Sequence, residues 1–386
     1  MDRIYLDHNA TTPLDPRVLD AMLPILREGF GNPSSLHWFG QRARAAVDTA
    51  REHVAALVGA SPGEIVFTAS GTEADNMALR GAAGAARDPR RKVVYCAIEH
   101  HAVMNTARAL AEEGVPVESA RAGPDGRVDF DDLRGKVDDR TAIVALMLAN
   151  NETGIVEPVE EAVRLARERG CLVHCDAVQA AGKIPVDARA LDVDTLAISA
   201  HKIYGPKGVG ALYVKRGTRL RSFVRGGSQE RNRRAGTENV AGIVGLGRAA
   251  ELAREEMKTE SARLAGLRDR LEGRLLAIPG AQRNGEGPRV PNTANVSFAG
   301  VEAESLVMAL DLAGPAVSTG AACAAGAVEP SHVLRAMGLP LERVQASLRF
   351  SLGRGTTGEH VDRAAALVAE AVDKQRKTSR SYAGKA

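Results

Sequence analysis

Polar side chains that could do covalent chemistry follow two apolar segments near the middle of the chain. Asp176 and Gln179 come at the end of one segment, and Ser199, His201 and Lys202 come at the end of the next. Because the carboxyl ends of neighbouring parallel strands open onto one crevice, we expect the carboxylate and the ammonium to face the same ligand. Burial of either charge alone is costly, so a bound ionic group would account for both. A structural Asp–Lys salt bridge, or solvated strand ends, remains the alternative.

One small molecule needs both of these groups. Pyridoxal phosphate joins a lysine amine as a Schiff base, and it takes a carboxylate against its pyridine nitrogen, which keeps that nitrogen protonated and electron-withdrawing. Lys202 and Asp176 can supply these two contacts. The residue types therefore favour pyridoxal 5'-phosphate as the cofactor.

The phosphate of such a cofactor requires a helix start with free backbone N–H groups. The segment IVFTASGTEADN passes from an apolar strand into a helix through Gly71 and Thr72, so its N–H groups and the Thr72 hydroxyl can bind an anion. A capped helix without a ligand would explain this segment equally well. A second glycine and hydroxyl pair, Gly236 and Thr237, lies in an arginine-rich segment that could also be an ordinary polar loop.

Three further positions suggest a binding site. His100 follows another strand, where an imidazole could stack on a cofactor ring and exchange protons near neutral pH. Asn151 ends a strand and could hydrogen-bond a ring oxygen or form a turn. Arg349 lies among alternating apolar residues, and a half-buried guanidinium suits a bidentate carboxylate such as that of an amino acid. A capping histidine and an internal arginine salt bridge are the alternatives.

A single thiol, Cys323, lies in the segment 318–332, which reads STGAACAAGAVEPSH. Free cysteines are commonly inert, small apolar residues, and Cys96, Cys171 and Cys175 fit that description because they lie in or beside apolar strands. Cys323 instead has glycine and alanine neighbours that offer little packing. We therefore regard it as a candidate nucleophile.

Composition excludes several other functions. The chain has 386 residues, of which 44% are apolar, and a formal charge of +3 with interspersed signs, so nucleic acid is a poor candidate for a partner. The N-terminus lacks the features of a secretory signal, and no apolar run is long enough to span a membrane. The cysteine spacing indicates neither a zinc site nor a disulfide framework. We expect a cytoplasmic protein without a metal.

The elements that would position these residues alternate between apolar strands and amphipathic helices. From about residue 65 to residue 214 this pattern predicts an α/β layer with a mostly parallel sheet, in which the helix near residues 158–169 ends at Gly170. A charged helical connector covers residues 237–278, and mixed elements follow it. We expect a large α/β domain over residues 15–255. Residues 1–14 and 256–386 should form a smaller α+β domain, with a disordered polar tail from residue 374.

Taken together, these segments resemble the fold-type I pyridoxal phosphate enzymes, and within them the cysteine desulfurases of the NifS/IscS type in the class V aminotransferase family. The resemblance extends over nearly the whole chain. It rests on segments that occur in the family's order: YLDHNATTPLDP, GNPSSLH, SGTEADN, EHHAV, NNETG, HCDAVQ, SAHKIYGPKGVGAL, RAGTEN, STGAAC, EPSHVLRAMG and RFSLGR.

The resemblance implies a role for each candidate residue. Lys202 would attach the cofactor, Asp176 would pair with its pyridine nitrogen, Gln179 would bond its ring hydroxyl oxygen, and His100 would stack on its ring. The phosphate would be held by Gly71, Thr72, Ser199 and His201, and by Thr237 of a neighbouring subunit, which implies a homodimer. Asn151 and Arg349 would bind the substrate carboxylate. The resemblance gives His101 no role.

The implied reaction converts L-cysteine into L-alanine. Lys202 would remove the α proton, the Cys323 thiolate would attack the substrate sulfur, and the Cys323 persulfide would pass its sulfur to an acceptor protein such as an iron–sulfur scaffold. A selenocysteine lyase, a cysteine C–S lyase that releases the chalcogen directly, or a non-catalytic platform for sulfur-transfer proteins are the alternatives.

The cysteine segment departs from the family in one respect. Thr319 and Ala321 stand where the family more often has serine, so two hydroxyl groups near the thiol differ or are missing. Because glycine and alanine let a loop change shape at low cost, we expect mobility over residues 321–329.

Overall fold

The structure of the chain is a computed structural model. It describes residues 3–320, 323–324 and 327–383, with side chains for residues 3–320 and 329–378. The strands are β1 (Ile4–Tyr5), β2 (Ile65–Thr68), β3 (Lys92–Cys96), β4 (Val117–Ala120), β5 (Thr141–Ala145), β6 (Leu172–Asp176), β7 (Thr195–Ser199), β8 (Gly210–Val214), β9 (Ala281–Arg283), β10 (Thr293–Phe298), β11 (Pro315–Ala316), β12 (Cys323–Ala324), β13 (Ala327–Val328) and β14 (Ser347–Ser351). The helices are α1 (Pro16–Glu28), α2 (Trp38–Leu57), α3 (Gly71–Ala85), α4 (His101–Glu112), α5 (Phe130–Lys136), α6 (Val159–Arg169), α7 (Val240–Leu276), α8 (Ala303–Ala313), α9 (His332–Ala336), α10 (Leu341–Gln345) and α11 (Gly358–Ala383).

The largest sheet has seven strands in the order β2-β8-β7-β6-β5-β3-β4. Neighbours from β7 to β4 run parallel, whereas β8 is antiparallel to both β7 and β2. Helix α6 joins β5 to β6 and ends at Gly170, whose φ of 61° is a conformation that glycine adopts without strain. The expected mostly parallel sheet between helices is confirmed.

Both faces of this sheet are buried. Along β3, Val93 and Tyr95 pack in one hydrophobic cluster with α3 and α4. Val94, between them, belongs to a second cluster with α2, α6 and the first half of α7. Successive side chains of a strand point to opposite faces, so a strand covered on both sides must be apolar throughout. This explains why these strands are continuous apolar runs in the sequence.

A third cluster surrounds a smaller antiparallel sheet, β14-β10-β9. It includes Ile4 and Leu6 from the N-terminus together with residues of α8, α11 and the second half of α7. Helix α7 therefore contributes to two cores, since Leu252 packs in the large-sheet cluster and Leu264 in this one. The domain boundaries at residues 14/15 and 255/256 stay a prediction.

The expectation of a disordered tail from residue 374 is wrong as far as residue 383. Helix α11 continues to Ala383. Its last turns are anchored because the Arg376 guanidinium donates to the Ala299 carbonyl over 2.6 and 2.9 Å. Residues 384–386 lie outside the described residues.

Among the described residues, we find no helix that is both long enough and apolar enough to cross a membrane.

Candidate active site

A cavity of about 400 Å³ opens where the carboxyl ends of the parallel strands face the smaller sheet. Most of the residues that the sequence predicts for the site line it together: Gly71, Thr72, His100, Asn151, Asp176, Gln179, Ser199, His201, Lys202 and Arg349. Residues that are far apart in the sequence, from the first turn of α3 to β14, thus line the same cavity. Parallel strands concentrate polar side chains at this edge because the connections above it leave a crevice.

Lys202 lies in a short 3₁₀ turn directly after β7. Its Nζ donates to the carbonyl oxygens of Asn9 and Ala10, the latter over 2.9 Å. Burial, and to a lesser extent the Arg349 charge, lower the pKa of Lys202 to about 8. About a tenth of this amine is therefore uncharged at about pH 7, and a nucleophilic or proton-accepting lysine acts through this neutral form.

Asp176 is the last residue of β6 and is 6% exposed. One carboxylate oxygen accepts the Val178 N–H over 2.9 Å. Burial raises the pKa of Asp176 to about 6, although the Lys202 charge opposes the rise. The carboxylate would be stabilised by a cation in the cavity, because such a partner would replace the lost solvation.

A second carboxyl group, that of Asp75 on α3, lies beside Asp176. Oxygen atoms of Asp75 and Asp176 and a ring nitrogen of His100 all lie within 4.8 Å of one another. Asp75 Oδ1 is 3.0 Å from His174 Nε2, and His174 Nδ1 is 2.9 Å from the Thr195 hydroxyl. Burial lowers the pKa of His174 to about 3, so the His174 imidazole is neutral. Burial also raises the pKa of Asp75 well above its usual value.

Gln179 is held by two hydrogen bonds that fix the orientation of its amide. The buried Lys183 ammonium donates to Gln179 Oε1 over 2.6 Å, and Gln179 Nε2 donates to the Asn9 carbonyl over 2.9 Å. With the oxygen occupied by Lys183, the nitrogen is the atom left to donate into the cavity. Burial lowers the pKa of Lys183 to about 7.

The N-terminus of α3 faces the cavity through Gly71 and Thr72. Ser70 caps the helix by accepting the Glu73 N–H over 3.1 Å, which leaves the preceding N–H groups of the first turn without an intrahelical acceptor. A Cβ atom at Gly71 would lie 2.8 Å from Val178 Cγ2. Only glycine therefore fits here without displacing the residues that follow Asp176.

His100 caps α4 at the cavity wall. Its Nδ1 accepts the Ala102 N–H over 3.1 Å, so the proton of the neutral ring must be on Nε2. Desolvation by the surrounding protein, and next the Lys202 charge, lower the pKa of His100 to about 4, although part of the residue is exposed. His201, which also lines the cavity, has a pKa lowered to about 4 by burial and by the Lys202 charge, and its Nδ1 lies 3.1 Å from the Thr11 hydroxyl.

Arg349 extends from β14 into the cavity and is 5% exposed. Its Nη1 donates to the Asn151 carbonyl over 3.0 Å, and its Nη2 donates to Asp7 Oδ1 over 2.7 Å. Arg349 Nε and Asn151 Oδ1 are buried and have no hydrogen-bond partner among the side chains and backbone that the structure describes. Both atoms therefore have unused hydrogen-bonding capacity.

Two predicted residues are not among the cavity's described lining. Thr237 is exposed, in a segment attached to the start of α3 by hydrogen bonds from Arg234 to Glu73, the shorter of 2.7 Å. The backbone of Cys323 lies in β12, which pairs with β13, but its side chain is outside the described part of the chain. The expected mobility of residues 321–329 falls largely on the same residues and stays a prediction.

The profile of the family described as "Aminotransferase class-V" matches residues 4–364. The chain belongs to this family. A protein named "Cysteine desulfurase" from Trichormus azollae is 49% identical over 381 residues, which cover 98% of this chain and 95% of the relative. The resemblance found from the motifs is therefore confirmed.

Solved structures of other proteins have the same fold. One described as a "NIFS-LIKE PROTEIN" superposes with a TM-score of 0.90 at 38% identity, covering 96% of this chain and 99% of the other. Another, described as "SspA in complex with cysteine", superposes with a TM-score of 0.80 at 32% identity over 90% of this chain and 98% of the other. The class V aminotransferase fold thus extends over nearly the full chain.

Sequence patterns alone missed several residues of this class V site. Asn9, Asp75 and Glu152 line the cavity, and Lys183 donates a hydrogen bond to the Gln179 side chain. Asp75 lies four residues after Gly71 on the same helix, and this spacing could have placed it on the cavity side. Asn9 stands within a family segment and Lys183 lies four residues beyond another, but their chemistry became visible only through their buried contacts.

Proposed function

We propose that the chain is a pyridoxal-phosphate-dependent cysteine desulfurase, which converts L-cysteine into L-alanine and leaves the sulfur on Cys323 as a persulfide. The observation that carries this proposal is the presence in one cavity of Lys202, Asp176 and Arg349. A partly neutral amine, a buried carboxylate and a carboxylate-binding guanidinium are the groups that amino-acid chemistry with this cofactor requires. The cysteine desulfurase relative and the cysteine-bound structural neighbour support this substrate.

The cavity residues fit the cofactor. When bound, pyridoxal phosphate supplies an electron-withdrawing ring that makes the Cα proton of a linked amino acid acidic. Lys202 would hold it covalently, Asp176 would pair with the ring nitrogen, Gln179 Nε2 would donate to the ring oxygen, and His100 would stack on the ring. The residues proposed to hold its phosphate are Gly71, Thr72, Ser199, His201 and, from a second subunit, Thr237.

Arg349 and Asn151 would bind the substrate carboxylate. The guanidinium is already oriented by Asp7 and by the Asn151 carbonyl, so little side-chain freedom is lost when a carboxylate binds. Each Nη atom makes one of these hydrogen bonds, so each keeps an N–H donor for the substrate.

Two groups would handle protons. Lys202 can accept the Cα proton at Nζ, because its pKa of about 8 leaves part of the population uncharged at neutral pH. His100 carries a proton on Nε2 in its neutral form, so we propose it as the group that supplies a proton to the product carbon.

The sulfur transfer balances without an external oxidant. The Cβ–S bond of L-cysteine breaks and an S–S bond forms to Cys323 Sγ. The substrate carbon is reduced to the methyl group of L-alanine, and the transferred sulfur is oxidised to the persulfide level. One L-cysteine and one thiol thus become one L-alanine and one persulfide.

The partners and the compartment belong to the same proposal. We infer a homodimer, and its apolar contact could use Phe30 and Leu36, which are 79% and 90% exposed near the junction of α1 and α2. A sulfur-acceptor protein, such as an iron–sulfur scaffold, would receive the persulfide sulfur. The described cysteines Cys96, Cys171 and Cys175 are free thiols, as we expect in the cytoplasm.

The decisive experiment is to incubate the cofactor-loaded protein with L-cysteine, quantify alanine, and search for a persulfide on Cys323 by mass spectrometry. We expect one alanine per persulfide in a single turnover. Cys323→Ser should abolish persulfide formation, whereas Cys171→Ala, at a buried thiol remote from the cavity, should retain it. Full sulfide release by Cys323→Ser would instead identify a C–S lyase or a selenocysteine lyase. Absence of a visible absorption band sensitive to Lys202→Ala would contradict the cofactor assignment.

A further inference from the structure

Glu152 is a buried acid in the active-site wall that the proposed reaction leaves without a role. It lines the cavity, yet it is only 1% exposed. Burial raises the pKa of Glu152 from its usual value. Burying a carboxyl group costs solvation free energy, so we expect the contacts of this side chain to offset that cost.

The backbone of Glu152 is fixed from two sides. Its N–H donates to Asn150 Oδ1 over 2.8 Å within a tight turn after β5. Its carbonyl accepts from Asn295 Nδ2 over 3.1 Å, and Asn295 belongs to β10 of the smaller sheet. The residue therefore stands on a rigid base formed by both sheets.

The Glu152 side chain contacts the C-terminal end of the segment that carries Cys323. Ser331 Oγ accepts the Leu334 N–H over 3.0 Å as the cap of α9. Its hydroxyl proton is thus free to be donated, and Glu152 Oε2 accepts it over 2.5 Å. Glu152 Oε1 lies 4.0 Å from Nδ1 of the next residue, His332.

His332 extends the same anchorage. Its Nε2 donates to the Glu99 carbonyl over 2.9 Å, at the strand end that precedes His100. Its ring also packs edge-on against His101, with centroids 4.5 Å apart. The start of α9 is therefore attached to the cavity wall by three side chains: Glu152, His101 and His332.

The N-terminal end of the segment lies close to the same side chain. Gly320 approaches so closely that a Cβ atom there would lie 3.1 Å from Glu152 Oε2, and its φ of 85° suits glycine. Ser318, two residues before Gly320, exchanges two backbone hydrogen bonds with Arg349, of 2.7 and 3.3 Å. Gly320 and Ser331 bracket residues 321–330, and Glu152 is hydrogen-bonded to Ser331 and lies close to Gly320.

We propose that Glu152 is a positioning residue for sulfur transfer, because its carboxylate binds the C-terminal end of the segment that carries Cys323 and lies beside the N-terminal end. This inference rests on the proposed desulfurase function. Glu152 does not take part in cofactor attachment or in removal of the Cα proton. Its loss should slow transfer to Cys323 while the earlier steps continue, since a loop with an unfixed end samples productive positions less often.

The test is a single-turnover experiment on the cofactor-loaded protein with L-cysteine, in which two signals are followed. Glu152→Ala should leave the initial absorbance change of the cofactor within about 2-fold of the unmodified protein and slow the appearance of the Cys323 persulfide at least about 10-fold. Glu152→Gln keeps an acceptor oxygen for Ser331 and should restore the persulfide rate to within about 3-fold. Ser331→Ala should reproduce the slow transfer, and the double variant should be no slower than the slower single variant.

Glu157→Ala is the matched control. It removes another buried carboxyl group, at the end of the same turn, whose Oε2 accepts the Val128 N–H over 2.9 Å away from the cysteine segment. We expect it to lower stability and leave the persulfide rate unchanged. If Glu157→Ala slows transfer as much as Glu152→Ala, the effect is general destabilisation and the inference is wrong.

Two other results separate the inference from the function. Persulfide formation at the unmodified rate in both Glu152→Ala and Ser331→Ala overturns the role of Glu152 and leaves the desulfurase proposal intact. Absence of a Cys323 persulfide in the unmodified protein overturns both. If Glu152→Ala does not fold, the persulfide rate of Ser331→Ala tests the inference by itself. Ser331→Ala removes the same hydrogen bond, and proteins usually still fold when an N-cap side chain is lost.

Discussion

The Arg349 guanidinium donates to the Asp7 carboxylate over 2.7 Å, so the N-terminal segment orients the residue proposed to bind the substrate. Asp7 forms a parallel bridge with Ser351, two residues beyond Arg349 on β14. The ion pair is therefore built into the backbone pairing of the smaller sheet. Since Asp7 binds only one Nη atom, the guanidinium keeps donors for a second carboxylate.

Replacement of Arg349 should affect mainly substrate binding. Arg349→Lys keeps the charge and loses the planar pair of donors, and we expect KM for L-cysteine to rise about 10- to 100-fold with a smaller change in kcat. Steady-state alanine formation measures both constants. Arg274→Lys, at an exposed ion pair with Asp362 on the surface, should change neither constant. An unchanged KM in Arg349→Lys would exclude a carboxylate contact at this residue.

Cofactor capture by the ligand-free protein should depend on pH through Lys202. Only the neutral amine attacks an aldehyde, and burial lowers the pKa of Lys202 from 10.5 to about 8. The rate at which added pyridoxal phosphate is bound should therefore rise with pH up to about 8 and then level off, as followed by absorbance after rapid mixing. Lys202→Ala should form no adduct that borohydride can trap. A rate still rising steeply at about pH 10 would indicate a lysine with an ordinary pKa.

Burial of Asp176 should destabilise the ligand-free protein above the pKa of this residue. The folded-state pKa of about 6 exceeds the reference value of 3.8, so the folded protein holds a proton between these values and loses stability as pH rises through the window. At about pH 8, ligand-free Asp176→Asn should have a free energy of unfolding roughly 1–3 kcal/mol higher than the unmodified protein. This advantage should shrink towards about pH 4.

Urea unfolding across this pH range measures the effect. Asp139→Asn, at a side chain that is 90% exposed, should show no such pH dependence. The same Asp176→Asn change should weaken cofactor binding, because the ring nitrogen would lose its charged partner. Equal stability of the two proteins at every pH would show that Asp176 is not destabilised by burial.

Thr237 should act on the active site of a partner subunit. If it does, Lys202→Ala and Thr237→Asp proteins that are each inactive should regain activity when their subunits are exchanged. One site of the mixed dimer then has both lesions, and the other has neither. We expect up to about a quarter of the unmodified activity at equal mixing, since half of the dimers are mixed and each has one intact site. Alanine formation reports the recovery, and light scattering reports the dimer. No recovery in a confirmed mixed dimer would place Thr237 at the site of its own subunit.

Much of the fold followed from local patterns. Strands buried on both faces must be continuously apolar, and Gly170 marks a helix end that needs a left-handed residue, so β3, β5, β6, β7 and α6 were predictable. The polar tail was misjudged because composition cannot show that Arg376 reaches a carbonyl of another element.

The sequence by itself determined which chemistry is available. Lys202, Asp176 and His100 stand at strand or helix ends, and parallel strands bring such ends to one edge. Arg349 stands among apolar residues of a recognisable segment. Only the tertiary structure decided which groups support them. Asp75 meets His174 across 99 positions, Asp7 meets Arg349 across 342, and Glu152 meets Ser331 across 179. Such pairs leave no periodic trace in the chain, because their proximity is set by how the helices and the two sheets pack rather than by local backbone geometry.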